Sequence, residues 1–166
     1  MSRTATIEGV EPPRSDPRIS VPEIWDVRRT IELRTAELAA VTRTDEEAAE
    51  ILALAEAIGR EAGDVDTVTG SDIAFHEAVA RASHNRLFLE IVQSFDPLME
   101  VAVPSAWRTR TTEGQRRIMV ERHMAVANAI HRRDPIAATM AMSAHFDSAI
   151  GDMLRAARLK GSAVSF

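Results

Sequence analysis

The segment Ser71–Asn85, SDIAFHEAVARASHN, places a carboxylate and an imidazole on a helix face that must be buried. Asp72 and His76 are four residues apart, so on a helix they lie one above the other on the same side. The apolar residues of this helix recur at three- and four-residue steps around them: Val65, Val68, Phe75, Val79 and Ala82. Since aspartate is rarely buried unless it is paired or holds a metal, the fold must supply partners for both side chains.

Two later histidines are placed to meet this pair. His123 lies 11 residues before Asp134, and His145 lies 11 residues after it. Asp134 followed by Pro135 is a helix start, an N-cap with proline at the first helical position, so two helices form a hairpin there. Residues equidistant from such a turn lie at the same height, here about 16 Å from it. We therefore expect both histidines to meet inside the bundle, beside the helix that carries the first pair.

Three imidazoles and one carboxylate form a nitrogen and oxygen ligand set that suits Zn, Ni, Co, Fe(II) or Mn. A single buried histidine is more often hydrogen bonded in a core than bound to a metal. The shared stripe positions and the matched heights make a metal site as good an interpretation as a polar core cluster without a ligand. His84 and His131 stand at helix ends, where a positive charge suits the helix dipole, and are left out of the candidate site.

Composition narrows the class of protein. With 166 residues and 45% apolar content, the chain is one domain, and its few glycines and prolines favour helices. The absence of cysteine excludes a disulfide framework and a thiolate metal site, and it fits the reducing cytoplasm. The net charge of −5 argues against a grip on nucleic acid by electrostatics alone. The sequence contains neither a signal peptide nor an apolar run long enough to cross a membrane.

Apolar spacing, caps and breakers predict an all-α antiparallel bundle of about six helices, with the candidate metal site at its centre. The resemblance described below implies that this centre is also a ligand pocket. The expected helices span roughly 22–41, 44–62, 65–85, 86–103, 113–132 and 135–159. Thr44 with Glu47 three residues on is a capping box at the start of the second helix. Pro97 should kink or break the fourth helix. The stretch 104–114 is expected to be a loop that contains Trp107.

Two parts are expected along the chain. Residues 1–20 are polar, contain Pro12, Pro13 and Pro17, and are typical of a mobile tail or linker. Residues 21–166 form the helical domain.

Arg28 borders or enters the apolar stripe expected for the first helix. That stripe consists of Ile24, Val27, Ile31 and Leu38. One interpretation is an arginine that extends to the edge of the core or pairs with Glu32 four residues on. The other is a buried cation that binds an anionic ligand. The residues alone leave both open.

Four segments carry a resemblance to a known family: EIWDVRRTIE, SDIAFHEAVARASHN, ERHMAVANAIHRRDPIAA and MSAHF. From about Pro22 to Leu154 the chain resembles the FCD domain, the C-terminal effector-binding domain of FadR-type regulators in the GntR family. The Asp-x-x-x-His pair followed by two later histidines is typical of the metal-binding branch of that family. The resemblance implies a helical domain that senses a small molecule.

The resemblance also implies roles for individual residues. Asp72, His76, His123 and His145 would ligate a divalent metal, commonly zinc or nickel. The effector would be a small carboxylate or sugar acid. Arg28 is similar to the first-helix arginine that grips the effector's carboxylate. Trp107 lies where an aromatic residue can line the pocket.

A divalent ion beside Asp72 would leave one positive charge in the site, and Arg28 would add a second. Burying that charge without a counterion would be costly. An anion is therefore expected in the cavity.

Regulators of this kind begin with a winged helix-turn-helix that binds operator DNA, and no such segment is present in this chain. Residues 1–20 would be the linker that follows it, either in a fragment of a longer regulator or in a free-standing sensor. DNA would then be contacted only through a domain that this chain does not contain. Paired DNA-reading domains also imply that the sensor forms a homodimer.

The expected function is therefore a metal-dependent, ligand-sensing domain of a transcriptional regulator rather than an enzyme. The alternative is a small metalloenzyme in which the same four ligands hold a metal that activates water. Glu77 follows His76 directly and should point away from the site, so no general base stands beside the ligands. This favours the sensor over the enzyme.

Overall fold

The computed structural model describes residues 21–162, and in this part of the chain every regular element is a helix. The helices are α1 Val21–Thr42, α2 Asp45–Glu61, α3 Val65–Ala82, α4 Arg86–Gln93, α5 Asp96–Arg108, α6 Glu113–His131 and α7 Pro135–Ser162. Side chains are described for residues 23–152, 154 and 155. The predicted tail, residues 1–20, lies outside the described residues. None of the described helices combines the length and the apolar character that a membrane span requires. The all-α prediction is confirmed.

Local caps set the starts of several helices. The Thr44 hydroxyl accepts a hydrogen bond from the Glu47 amide, and the Glu47 carboxylate accepts one from the Thr44 amide. This is the predicted capping box of α2. Thr112 and Gln115 form a second capping box at the start of α6. The two capping boxes stabilise the first turns of α2 and α6, which pack on the other helices of the bundle.

The predicted fourth helix is broken in two, which gives seven helices instead of six. Helix α4 ends at Gln93, and α5 begins at Asp96, with Pro97 in its first turn. Proline is favoured there because the first amide groups of a helix have no carbonyl partner within the helix. Pro97 therefore starts a helix after the break.

The predicted loop at 104–114 is largely wrong. Helix α5 continues through Pro104 to Arg108, and Trp107 lies on it with 3% of its surface exposed. A proline inside a helix removes one backbone hydrogen bond. The buried side chains of α5 offset this loss: Met99, Ala102, Val103, Ala106 and Trp107. Tertiary packing has overridden the local signal of the proline.

The inner face of α1 differs from the predicted stripe. Ile24 is buried as expected, but Val27 is half exposed. Arg28 and Glu32 are buried in its place, with 2% and 1% of their surfaces exposed. Helix α1 therefore presents a charged pair to the interior.

The helices form a bundle that encloses the site. Helix α1 packs along α7, and α6 and α7 form the predicted antiparallel hairpin. Helix α3 lies between α1, α2 and α5. Because the predicted ligands sit on the inner faces of α3, α6 and α7, the packing brings them to one place, with α1 closing the remaining side.

Candidate metal and effector site

The structure brings together the four residues that the sequence predicts as metal ligands. Asp72 and His76 come from α3, His123 from α6 and His145 from α7, and none is more than 6% exposed. The ring centres of His123 and His145 are 4.4 Å apart, and those of His76 and His145 are 5.1 Å apart. One nitrogen from each of the three rings lies within 4.8 Å of the other two. The hairpin does place its two histidines at the same height.

Hydrogen bonds on the far sides of two rings set their tautomers. The Nδ1 of His123 donates to the carbonyl oxygen of Met119 over 2.9 Å. The Nδ1 of His76 donates to the Glu32 carboxylate. Since a carbonyl or carboxylate oxygen can only accept, each neutral ring carries its lone pair on Nε2. Such outer partners orient metal-binding histidines and raise their basicity.

Two of the inward nitrogens have no hydrogen-bond partner among the described residues. These are Nε2 of His123 and Nδ1 of His145, both fully buried. The His123 Nε2 lies 3.2 Å from Oδ1 of Asp72 without a hydrogen bond, because the proton of the neutral ring is on Nδ1. Two acceptors at that distance repel unless a cation lies between or beside them. The orphaned nitrogens therefore fit a metal ion.

The electrostatics of the site also favour a central cation. Burial alone would raise the pKa of Asp72, but the neighbouring imidazoles, first His123 and then His76 and His145, hold this pKa far below its usual range. Burial lowers the pKa of His145, and the neighbouring imidazoles lower it further. An ionised carboxylate beside a neutral imidazole is the protonation state that metal binding needs.

Glu32 is a site residue that the sequence analysis considered only as a partner of Arg28. Its carboxylate accepts from Nδ1 of His76 and, over 2.6 Å, from Nε of Arg28. Burial acts to raise its pKa, but the charges of Arg28 and His76 outweigh burial, and the pKa is lowered. Glu32 thus couples the predicted metal ligand His76 to the predicted effector-binding residue Arg28.

Arg28 lies in a rigid frame. Its guanidinium is 4.9 Å from the ring centre of Trp25, and Trp25 packs edge-to-face on Phe146 at 6.3 Å. Arg28 therefore pairs with Glu32, as the first interpretation expected, and is buried beside the predicted metal ligands. Its binding of an anion stays a prediction.

A small cavity joins these groups. Its walls include Trp25, Arg28, Asp72, His76, Trp107, Arg110 and His145. The volume of the cavity is about 20 Å³. This volume suits one water or ion, whereas an organic acid would need the walls to move apart. The cavity includes Trp107, as the resemblance implied.

Arg110 is a second site residue that sequence reasoning did not select. It lies on the connection between α5 and α6, with 3% of its surface exposed. Its Nε donates to Asp152 on α7 over 3.0 Å. The sequence gives little indication that Arg110 is buried, because it falls within the predicted loop 104–114, near another arginine.

The two histidines that were left out lie away from this cluster. His84 is exposed, and its Nε2 is 2.9 Å from a carboxylate oxygen of Glu47. His131 is exposed in the last turn of α6.

Comparisons with known proteins agree with this architecture. The family model of the FCD domain matches residues 23–148. The chain is 34% identical over 124 residues to the "Putative L-lactate dehydrogenase operon regulatory protein" of Escherichia coli strain K12. The same identity and length relate it to the protein of that name from Shigella flexneri.

These matches cover part of each relative. The alignment spans 74% of this chain and 47% of the Escherichia coli protein, so the chain spans about half the length of the curated relatives it matches. A solved structure, Streptococcus agalactiae GntR, superposes with a TM-score of 0.65 at 24% identity, over 77% of this chain and 56% of that one. This likeness concerns the fold. The family match covers most of the described helices, and the chain therefore belongs to the FCD domain family.

Proposed function

We propose that this domain senses a small carboxylate effector by means of a divalent metal, held by Asp72, His76, His123 and His145, together with Arg28. The observation that carries the proposal is the convergence of three buried imidazoles, two of them with orphaned nitrogens, on one ionised carboxylate. This ligand set suits zinc or nickel. A bound ion would supply a coordination position for a carboxylate oxygen.

The charges around the site support an anionic effector. Glu32 neutralises Arg28, so the site with a divalent ion and Asp72 carries one excess positive charge, not the two expected from the sequence. A buried charge of this kind favours an anion in the cavity. The Arg28 guanidinium can still present its outer edge to a carboxylate, since a guanidinium has five N–H donors.

The size of the cavity supports a role in signalling. An effector larger than water must separate the walls of the cavity, which belong to α1, α3, α5, α6 and α7. Ligand binding would then change the packing of these helices. A neighbouring DNA-reading domain could respond to that change.

The named relatives support a regulatory setting. Two are described as operon regulatory proteins, and the chain matches about half of each. We propose that this domain acts in the cytoplasm as the effector-binding part of a GntR-family regulator, whose DNA contacts come from a separate winged helix-turn-helix.

The enzyme alternative has less support. The carboxylate that lines the cavity is that of Asp72, a proposed metal ligand. The described carboxylates directly behind the cavity are engaged, Glu32 by Arg28 and His76, and Asp152 by Arg110 and Arg155. A general base that activates water needs an available acceptor near the reacting atom.

Effector binding is tested by calorimetric titration of hydroxy acids, sugar acids and dicarboxylates. Arg28→Lys keeps the charge but loses the planar fork, and we expect it to weaken the best ligand about 30- to 1,000-fold. Removal of the metal should weaken the same ligand by a comparable factor. Arg29→Lys is the matched control, because Arg29 lies next in sequence and contacts Ser143 and Asp147 outside the cavity. The proposal fails if the best ligand binds all four protein forms equally, or if only neutral ligands bind.

Assembly is a separate expectation. Paired DNA-reading domains need paired sensors, so we propose a homodimer. Light scattering at tens of micromolar should give twice the mass of the chain. A monomeric mass at that concentration would contradict the dimer and leave the ligand site untouched.

A further inference from the structure

The cavity has a second buried arginine, built like the first. The Arg110 guanidinium lies 4.9 Å from the ring centre of Trp107, as Arg28 does from Trp25. Each arginine is paired with a carboxylate, Arg110 with Asp152. The cavity is thus bordered by two units of the same composition, an arginine, a tryptophan and an acid.

Arg110 has hydrogen-bonding capacity that the fold does not use. Its Nε donates to Oδ2 of Asp152, and the structure gives its guanidinium no other acceptor in the part of the chain it describes. A guanidinium has five N–H donors, so its outer edge remains available. Burial lowers the pKa of Arg110, while Asp152 and Asp72 act to raise it. The side chain nevertheless stays charged, because arginine is not deprotonated in proteins.

Both arginines are within reach of one ligand, because they line the same small cavity. Arg28 and Arg110 line one cavity that is too small for an organic acid without expansion. An acid held in this cavity by Arg28 therefore has Arg110 among the residues that surround it.

The net charge of the site determines which group of a ligand Arg110 can bind. Asp152 neutralises Arg110 in the same way that Glu32 neutralises Arg28. The excess charge of the metal-loaded site is a single positive one, and one carboxylate on the effector cancels it. A second carboxylate would be buried without a counterion. The outer edge of Arg110 is therefore suited to a neutral oxygen, such as a hydroxyl or an amide carbonyl.

From these contacts we infer that Arg110 is an effector-binding residue and that Asp152, as its built-in counterion, selects an acid with one negative charge and a neutral oxygen at its other end. This inference rests on the proposed function and names the class of effector for the same site. Asp152 also accepts from Arg155, whose side chain is 64% exposed. Asp152 therefore stands behind Arg110, which lines the cavity, and joins it to a surface ion pair.

The test compares two ligands of equal size that differ in one charge. Malate and its 4-amide form such a pair, and succinate with its monoamide forms a second. In calorimetry with metal-loaded wild-type protein, we expect each monoamide to bind at least about tenfold more tightly than its diacid. Asp152→Asn removes the counterion and should shift this preference toward the diacid by about tenfold or more.

A matched control separates this effect from general charge. Asp147→Asn makes the same change on the same helix, at a side chain that is 63% exposed, and should leave the preference unchanged. The double variant Arg110→Gln with Asp152→Asn replaces the buried ion pair by two amides, so its folding is checked by thermal melting. This double variant should bind the monoamides about tenfold or more weakly than wild type does, and it should not prefer the diacids.

The outcomes distinguish this inference from the proposed function. The inference is overturned if wild type binds the diacids as tightly as the monoamides, or if it binds neither pair. It is also overturned if Asp152→Asn changes the affinities for the diacids and the monoamides by the same factor. If acids bind in a manner that depends on Arg28 and metal while the Arg110 variants bind normally, the inference alone fails. If no acid responds to Arg28 or metal, the proposed function fails as well.

Discussion

Replacing His145 with alanine is expected to remove most of the bound metal and most of the stability that the metal confers. A ligand that binds only the folded state stabilises it by about 4 kcal/mol at 1,000 times its dissociation constant. For a chain of this length, that corresponds to a rise of about 8–16 °C in melting temperature. Scanning calorimetry with and without Zn²⁺, combined with elemental analysis, should give this rise for wild type and little of it for His145→Ala.

His84→Ala provides the matched control. His84 is exposed and paired with Glu47 away from the cluster, so this variant should keep both the metal and the rise in melting temperature. His123→Ala should behave like His145→Ala, because both rings contribute orphaned nitrogens. The metal site is wrong if wild type binds no divalent ion, or if the His145 and His84 variants respond to zinc alike.

The same site should make the protein sensitive to acid. Burial holds the pKa of His145 well below the ordinary histidine value of about 6.5, so the folded protein keeps this ring neutral where the unfolded chain takes up a proton. Stability contributed by His145 is therefore present above pH 6.5 and is lost as the pH falls below it. Metal affinity should fall in the same range, since protons compete for the imidazole nitrogens. The lowered pKa values of Asp72 and Glu32 add a further loss only in stronger acid.

The predicted ligands could be found from the sequence because regular helices convert spacing into position. Four-residue spacing places Asp72 and His76 on one face, and equal distances from Asp134 place the two later histidines at one height. These relations hold whatever the rest of the fold does, provided the helices are intact. The all-α class followed from the same regularity.

The rest of the site could not be predicted because it depends on which charged residues the packing buries. The apolar pattern of α1 predicts that Val27 is buried and Glu32 is not, whereas Val27 is half exposed and Glu32 is buried. Charged residues are rarely buried unless paired, so an isolated helix gives no reason to turn this face inward. The reason appears only when His76 and the cavity are in place. Arg110 was missed for a related reason, because it lies between α5 and α6, where no helix face predicts burial, and it is buried only through its pair with Asp152 of α7.

Glu32, which the sequence did not predict as a site residue, connects the predicted metal ligands to the predicted effector-binding arginine. Glu32 bonds to a predicted metal ligand and to the predicted effector arginine, so the two halves of the site share one carboxylate. A change in either half alters the charge that the other half meets. Metal binding and effector binding should therefore be linked through Glu32.

Glu32→Gln is accordingly expected to damage stability and metal binding together. Removal of this charge leaves Arg28 buried without a counterion, and breaking a buried ion pair costs about 3–5 kcal/mol. It also replaces the carboxylate that orients His76, and loss of such an outer partner lowers metal affinity about 10- to 100-fold. Urea unfolding of the metal-free protein measures the first effect, and competition with a chromogenic chelator measures the second.

Glu37→Gln is the matched control, since Glu37 lies on the same helix and pairs with Arg34 at the surface over 2.7 Å. An exposed pair of this kind contributes about 0–1 kcal/mol, and it has no contact with the cluster. Adding Arg28→Gln to Glu32→Gln removes the unpaired charge, so the double variant should regain part of the lost stability but none of the metal affinity. If Glu32→Gln unfolds and binds zinc as the Glu37 variant does, Glu32 is not the link between the two halves of the site.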